Sequence, residues 1–140
     1  MLPSGLPDYV DDGEDLARFL TQSNQFNDKL VKPALFLPDQ NSRETSVSRH
    51  GREPKEGLWK LGVRAAGARK LYGAAILKTH VVRNLQLEVV ADEPPPRHAV
   101  IQGWPWIDSD PALQKAKQKE LAIALASATG PPFLRQELKI

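Results

Sequence analysis

Cysteine is absent from this 140-residue chain, which excludes disulfides, thiolate nucleophiles, zinc held by sulfur and iron–sulfur clusters. Nitrogen ligands are scarce as well: His50, His80 and His98 form no i,i+4 pair and have no carboxylate at ligand spacing, so no metal is expected. No other cofactor is expected either. Gly62, Gly67 and Gly73 are scattered through alanine-rich sequence and match neither the P-loop nor the dinucleotide-binding spacing. No apolar run approaches the roughly 20 residues of a membrane span. The opening residues Met1-Leu2-Pro3-Ser4-Gly5 lack a basic or apolar leader pattern, so a cytoplasmic location without membrane association is expected. There is no internal repeat, and the longest biased tract is Pro94-Pro95-Pro96.

What is present fits one soluble globular domain, with 41% hydrophobic and 26% charged residues. The net charge of +2 hides an uneven distribution. Residues 1–42 hold seven acidic and three basic side chains, residues 43–83 ten basic and three acidic, and residues 84–140 seven acidic and six basic. Gathered on one face, the basic middle would attract phosphate, RNA, DNA or an acidic protein. Spread out, it would pair with the acidic N-terminal stretch as an ordinary solvated surface.

Residues 1–10 read as a flexible arm, 11–130 as the domain and 131–140 as a tail. Asp12 is placed to cap a short helix in which Leu16, Phe19 and Leu20 fall at i, i+3 and i+4. Residues 31–37 read as a strand, at an edge because of Pro33, and 45–49 as a strand able to form a hairpin with it. A helix is expected from Pro54 with Leu58, Leu61, Gly62 and Ala65 at helical spacing, stopped by Gly67. Strands follow at 72–77, 87–91 and 98–102, with a short helix capped by Thr79 after the first. The three prolines between the last two should take an extended, polyproline-like path. The clearest helix starts at Asp110 and Pro111 and ends at Gly130, with a stripe of Leu113, Ala116, Leu121, Ala124, Leu125 and Ala128. The expected fold is α+β: a mixed or antiparallel sheet, helices mainly on one face, and a long C-terminal helix.

Three groups of residues carry possible function. In 46–50, alternation puts Ser46, Ser48 and His50 on one face with Val47 and Arg49 on the other. Arg49, His50 and His98 are the candidates for catalysis; Arg49 is read either as a snorkelling edge residue or as a buried anion-binder. Arg49, Arg52, Arg64, Arg69 and Lys70 are the candidates for binding phosphate or nucleic acid, without sequence preference because no recognition motif accompanies them. Arg97, His98, Trp104 and Trp106, following the rigid prolines, are candidate partner-binding anchors; the alternative is that the tryptophans close the core. Two functions follow. The first expectation is a small cytosolic accessory or adaptor protein that binds a larger protein partner as a subunit of a bacterial complex. The second is a phosphate-directed enzyme or a nucleotide- or nucleic-acid-binding domain using Arg49, His50, His98 and the basic middle.

Overall fold

The computed structural model describes residues 2–50 and 55–135. Its elements are β1 (Asp15–Leu20), β2 (Thr45–Arg49), α1 (Lys55–Ala66), β3 (Gly73–Lys78), α2 (Thr79–Asn84), β4 (Glu88–Ala91), β5 (His98–Gln102), α3 (Pro111–Thr129) and β6 (Phe133–Leu134). The strands form one sheet in the order β4-β5-β2-β1-β3-β6, with every pair of neighbours antiparallel. This is a small α+β domain.

The period of two along each strand decides what each face carries. Leu16, Leu20, Val47, Ala75, Leu77, Val89, Ala99 and Ile101 turn to one face, where they pack with Val82 of α2 and Ala122, Leu125 and Ala126 of α3. Ala17, Phe19 and Ala74 turn to the other and pack under Leu58 and Ala66 of α1. The long helix is on the first face and α1 is on the second. Because α1 lies over β1 and β3, the outward side chains of β2 and β5 have no helix above them. Ser46 is exposed there, and Ser48 and His98 are half-buried.

Local signals account for the helix ends. Asp110 Oδ1 accepts the Leu113 N–H at 3.0 Å, Pro111 opens α3, and Gly130 at φ 65° follows it. Gly67 at φ 61° follows α1. Gly73 admits β6, since a Cβ there would run into the Phe133 carbonyl. The expected helix start at Pro54 lies outside the described residues.

Several local expectations are corrected. Residues 15–20 are a strand, not a helix, because β1 is central and buried on both faces, which removes the polar-apolar alternation that marks a half-exposed strand. Residues 31–37 contribute one β-bridge, Phe26 to Val31, and then a 3-10 turn over Pro33–Phe36, opened by the proline. β2 therefore pairs with β5 and β1, and makes no hairpin with that segment. Thr79 does not cap α2; its hydroxyl donates to the Glu14 carbonyl at 3.0 Å. The proline run is a hairpin loop rather than an extended path: the Asp92 N–H donates to His98 O and the His98 N–H to Pro95 O. The buried face of α3 is Gln118, Ala122, Leu125 and Ala126, while Leu113 is 44% exposed because the first turns of the helix extend past the sheet.

The first ten residues, expected as a flexible arm, are tied down from Leu2 onward. Val10 enters the core, and Glu93 accepts the Ser4 N–H at 3.0 Å and the Ser4 hydroxyl at 2.6 Å. In the expected tail, Phe133–Leu134 adds the sixth strand. Burial pushes the Glu93 carboxyl upward, but the two Ser4 hydrogen bonds outweigh it and hold the group below the usual glutamate range.

Two outcomes follow. Leu125→Ala should cost about 2–5 kcal/mol in denaturant unfolding, whereas Leu113→Ala should stay within about 0.5 kcal/mol. Because the folded Glu93 value is depressed, its contact with Ser4 contributes stability above the free glutamate value of about 4.3 and loses it as pH falls through the depressed value. The Ser4 amide resonance should therefore be steady from about pH 7 to 5 and move below about pH 4, and Glu93→Gln should flatten that response.

Candidate functional site

Two arginines on neighbouring strands meet opposite fates. Arg49 occupies an interior strand, on the face with Val47, and is 0% exposed. Its Nε donates to Glu14 Oε1 at 2.9 Å and its Nη2 to Glu14 Oε2 at 2.8 Å, a bidentate pair. Nη1 donates to Pro7 O at 2.7 Å and Nη2 also to Tyr9 O at 3.4 Å. The snorkelling edge position is excluded, since β2 is not an edge. The anion that Arg49 binds is the chain's own carboxylate, and four of its five N–H donors are spent within the chain.

Arg18 is different. β1 and β2 pair only at Leu16↔Arg49 and Ala17↔Ser48, and beyond Ala17 the two strands part. The Arg18 guanidinium fills the wedge, Nε donating to Leu35 O and Nη1 to Ser46 O, each at 3.0 Å. These carbonyls satisfy its hydrogen bonds without neutralising its charge. Nη2 has no protein partner among the described residues. Burial, then the charge of Arg69, lowers the pKa of Arg18 from its ordinary value.

Above this wedge lies a cleft of about 340 Å³ on the α1 side of the sheet. Ser46 and Ser48 of β2 and His98 of β5 line it, together with Ala65 at the end of α1, Arg69 just after it and Pro95 from the β4–β5 loop. Arg69 is aimed by the helix end: its Nε donates to Ala66 O at 3.1 Å and its Nη2 to Ala65 O at 3.2 Å. His98 stands opposite Ser48 in the ladder. Its Nδ1 lies 2.9 Å from Asp92 O and 3.3 Å from Asp92 Oδ2, which leaves Nε2 as the nitrogen available to a ligand. Among the described residues no carboxylate lines the cleft. Arg18, Arg69, His98, Ser46, Ser48 and Thr21 thus border one small volume, Arg18 from the wedge between β1 and β2.

The other predicted residues are dispersed. His50 closes β2, its N–H donating to Asp15 O at 3.0 Å, and does not line the cleft. Arg64 lines a separate depression with Gly57, Lys60, Leu61 and Arg97. Lys70 lies over the Tyr72 ring at 5.0 Å, and Arg52 is outside the described residues. The four proposed partner anchors do not share a surface: His98 faces the cleft, whereas Trp104, 4% exposed, belongs to the core on the opposite side of the sheet, with Trp106 packed against that core. Trp106 also lies under the Arg43 guanidinium at 4.8 Å. The sheet separates them because Ala99 and Ile101 alternate with His98 along β5.

A larger, mainly apolar depression of about 650 Å³ runs between α3 and residues near Pro33 and Leu37. Gln114 and Gln118 line it, but Gln114 Oε1 accepts the Ile107 N–H and Gln118 Nε2 donates to Pro105 O. These two glutamines hold the loop before α3, and Lys32, Gln40, Lys115 and Lys119 are the other polar side chains on its rim.

Sequence reasoning missed Arg18. A charged residue within Leu16-Ala17-Arg18-Phe19-Leu20 signals a constrained cation only once that run is read as a buried strand. No family model matches the chain, and neither a curated protein nor a solved structure does.

Arg49 and Glu14 should behave as a buried ion pair. Arg49→Met should lower unfolding free energy by about 3–5 kcal/mol, and the double change Arg49→Met, Glu14→Leu should recover part of that loss, as read by denaturant titration.

Proposed function

We propose that this domain binds a phosphate-bearing ligand in the cleft above β1, β2 and β5. The observation that carries the reading is the pair Arg18 and Arg69, which line one cleft with no carboxylate among its described walls. Guanidinium forks suit tetrahedral oxyanions, and hydrogen bonds between charged groups are stronger than neutral ones. A phosphate monoester offers several acceptor oxygens to lining residues that consist mainly of donors: Arg18, Arg69, Ser46, Ser48 and His98. Burial first, and the charge of Arg69 second, lower the Arg18 pKa, and an anion entering the cleft would offset both.

This is the phosphate-directed alternative read from the sequence, with a changed set of residues. Arg69 and His98 are retained, Arg49 is replaced by Arg18, and His50 is omitted.

Calorimetric titration with inorganic phosphate and pyrophosphate at low salt tests the reading. Arg69 is exposed, so Arg69→Gln should leave the melting temperature unchanged while weakening binding by tenfold or more, the equivalent of about 1.5–3 kcal/mol for a charge-assisted hydrogen bond. Failure of the unaltered protein to bind either anion in the millimolar range overturns the proposal.

A further inference from the structure

A second depression of about 200 Å³ is lined by Gly57, Lys60, Leu61, Arg64 and Arg97. It has no lining residue in common with the cleft, but chain neighbours line both. Along one side, α1 contributes Lys60, Leu61 and Arg64 to the second depression, and the next residue, Ala65, to the first. Along the other, Arg97 lines the second and the next residue, His98, with Pro95 of the β4–β5 loop, the first. Both depressions thus border the groove between α1 and the proline loop.

From this geometry we infer that the groove takes a single strand of nucleic acid through its phosphates, with the cleft as one phosphate subsite; the inference rests on the phosphate reading of that cleft. Charge supplies the first argument. Lys60 and Arg64 are one turn apart, a like-charge i,i+4 pair that disfavours the helix, and neither has a carboxylate partner among the described residues. Other basic residues do have carboxylate partners: Lys78 pairs with Asp15 at 2.8 Å, and Arg83 with Asp12 and Glu88, each at 2.6 Å. In the β4–β5 loop Asp92 sits against His98 and Glu93 accepts from Ser4, while Glu56 lies one turn before Lys60 on α1.

Spacing supplies the second argument. Lys60 and Ala65 are about 7.5 Å apart along the helix axis at 1.5 Å per residue. That separation is too wide for the adjoining phosphates of one nucleotide and comparable with successive phosphodiesters of an extended strand. A cleft of about 340 Å³ holds a phosphate with its sugar, not two paired strands. The aromatic ring in its wall, Phe19, is buried in the core under α1 and offers no stacking platform. Binding therefore reads phosphates, is indifferent to sequence and falls steeply with salt.

Fluorescence anisotropy with labelled thymidine oligomers of three and twelve nucleotides, at about 50 and 200 mM salt, tests the inference beside the pyrophosphate titration. The twelve-mer should bind more tightly than the trimer, and more weakly at the higher salt. Both Lys60 and Arg64 are exposed, and circular dichroism checks that the double variant Lys60→Glu, Arg64→Glu is folded. This variant should lose tenfold or more in twelve-mer affinity and keep pyrophosphate affinity within about twofold, whereas Arg69→Gln should weaken both. If the double variant binds the twelve-mer as well as the unaltered protein does, the extended groove is wrong and the phosphate cleft stands. If pyrophosphate does not bind at all, the cleft reading fails, and this inference fails with it. Tripolyphosphate or duplex DNA binding as tightly as the single strand also overturns the assignment.

Discussion

A guanidinium buried in the middle of the sheet organises this domain. Arg49 is 0% exposed, and an unpaired charge at such a position costs several kcal/mol, so the groups that meet it are fixed with it. Glu14 supplies both carboxylate oxygens, and Pro7 and Tyr9 supply carbonyls, which brings the N-terminal segment against the end of β2. Glu14 also accepts the N–H and hydroxyl of Thr79 through its carbonyl, tying the start of α2 to the same point. On the other side, the Arg49 N–H donates to Arg97 O and the Arg49 carbonyl accepts from Arg97 Nη1 at 3.2 Å. The position of Arg97, and with it one wall of the groove, thus follows from the way Arg49 is satisfied.

Arg18 shows what changes when carbonyls replace the carboxylate. Both arginines sit on interior strands and both donate to backbone oxygens, but only Arg49 has its charge matched from within the chain. Carbonyl oxygens fill hydrogen-bonding capacity and leave the charge uncompensated. A divergence of β1 from β2 creates the space, and Arg18 props it open by bonding to Ser46 O where the ladder has ended. The same side chain is therefore part of the scaffold and part of the site.

Much of the fold was legible because several elements carry redundant signals. α3 has a cap, a proline and a terminal glycine in agreement with its periodicity, β2 and β4 keep one face distinct from the other, and β5 is a run of apolar residues at its centre. β1 was misread because Leu16, Phe19 and Leu20 satisfy a helical spacing while a strand buried on both faces also places apolar residues at those positions. That error concealed Arg18, which the helical reading would leave on a polar side. The outward set Ser46 and Ser48 was visible from alternation alone, and Arg69 from the basic stretch. What alternation within β2 did not disclose was its neighbour: only the register with β5 puts His98 opposite Ser48. Trp104 follows the core-closing alternative rather than the partner-anchor one, since residues close in sequence to His98 leave β5 toward the opposite side of the sheet.

The groove exists because the second layer of this fold is incomplete. α1 has 12 residues, enough to cover β1 and β3, and those strands accordingly present Ala17, Phe19 and Ala74 to it. Over β2 and β5 the outward positions include Ser46, Ser48 and His98, which tolerate water, and Val100, which stands opposite Ser46 and is 4% exposed. This side of the sheet is therefore mixed, with polar groups at the cleft and a buried apolar residue beside them. Arg18, Lys60, Arg64 and Arg69 come from β1, α1 and the turn after it, segments that folding brings together. Crowding of like charge among them is a property of the folded state, and an anion that relieves it would have a differential affinity for that state over the unfolded chain. On the phosphate reading proposed above, this is how the cleft differs from the surroundings of Arg49, Lys78 and Arg83, whose charges are met by carboxylates.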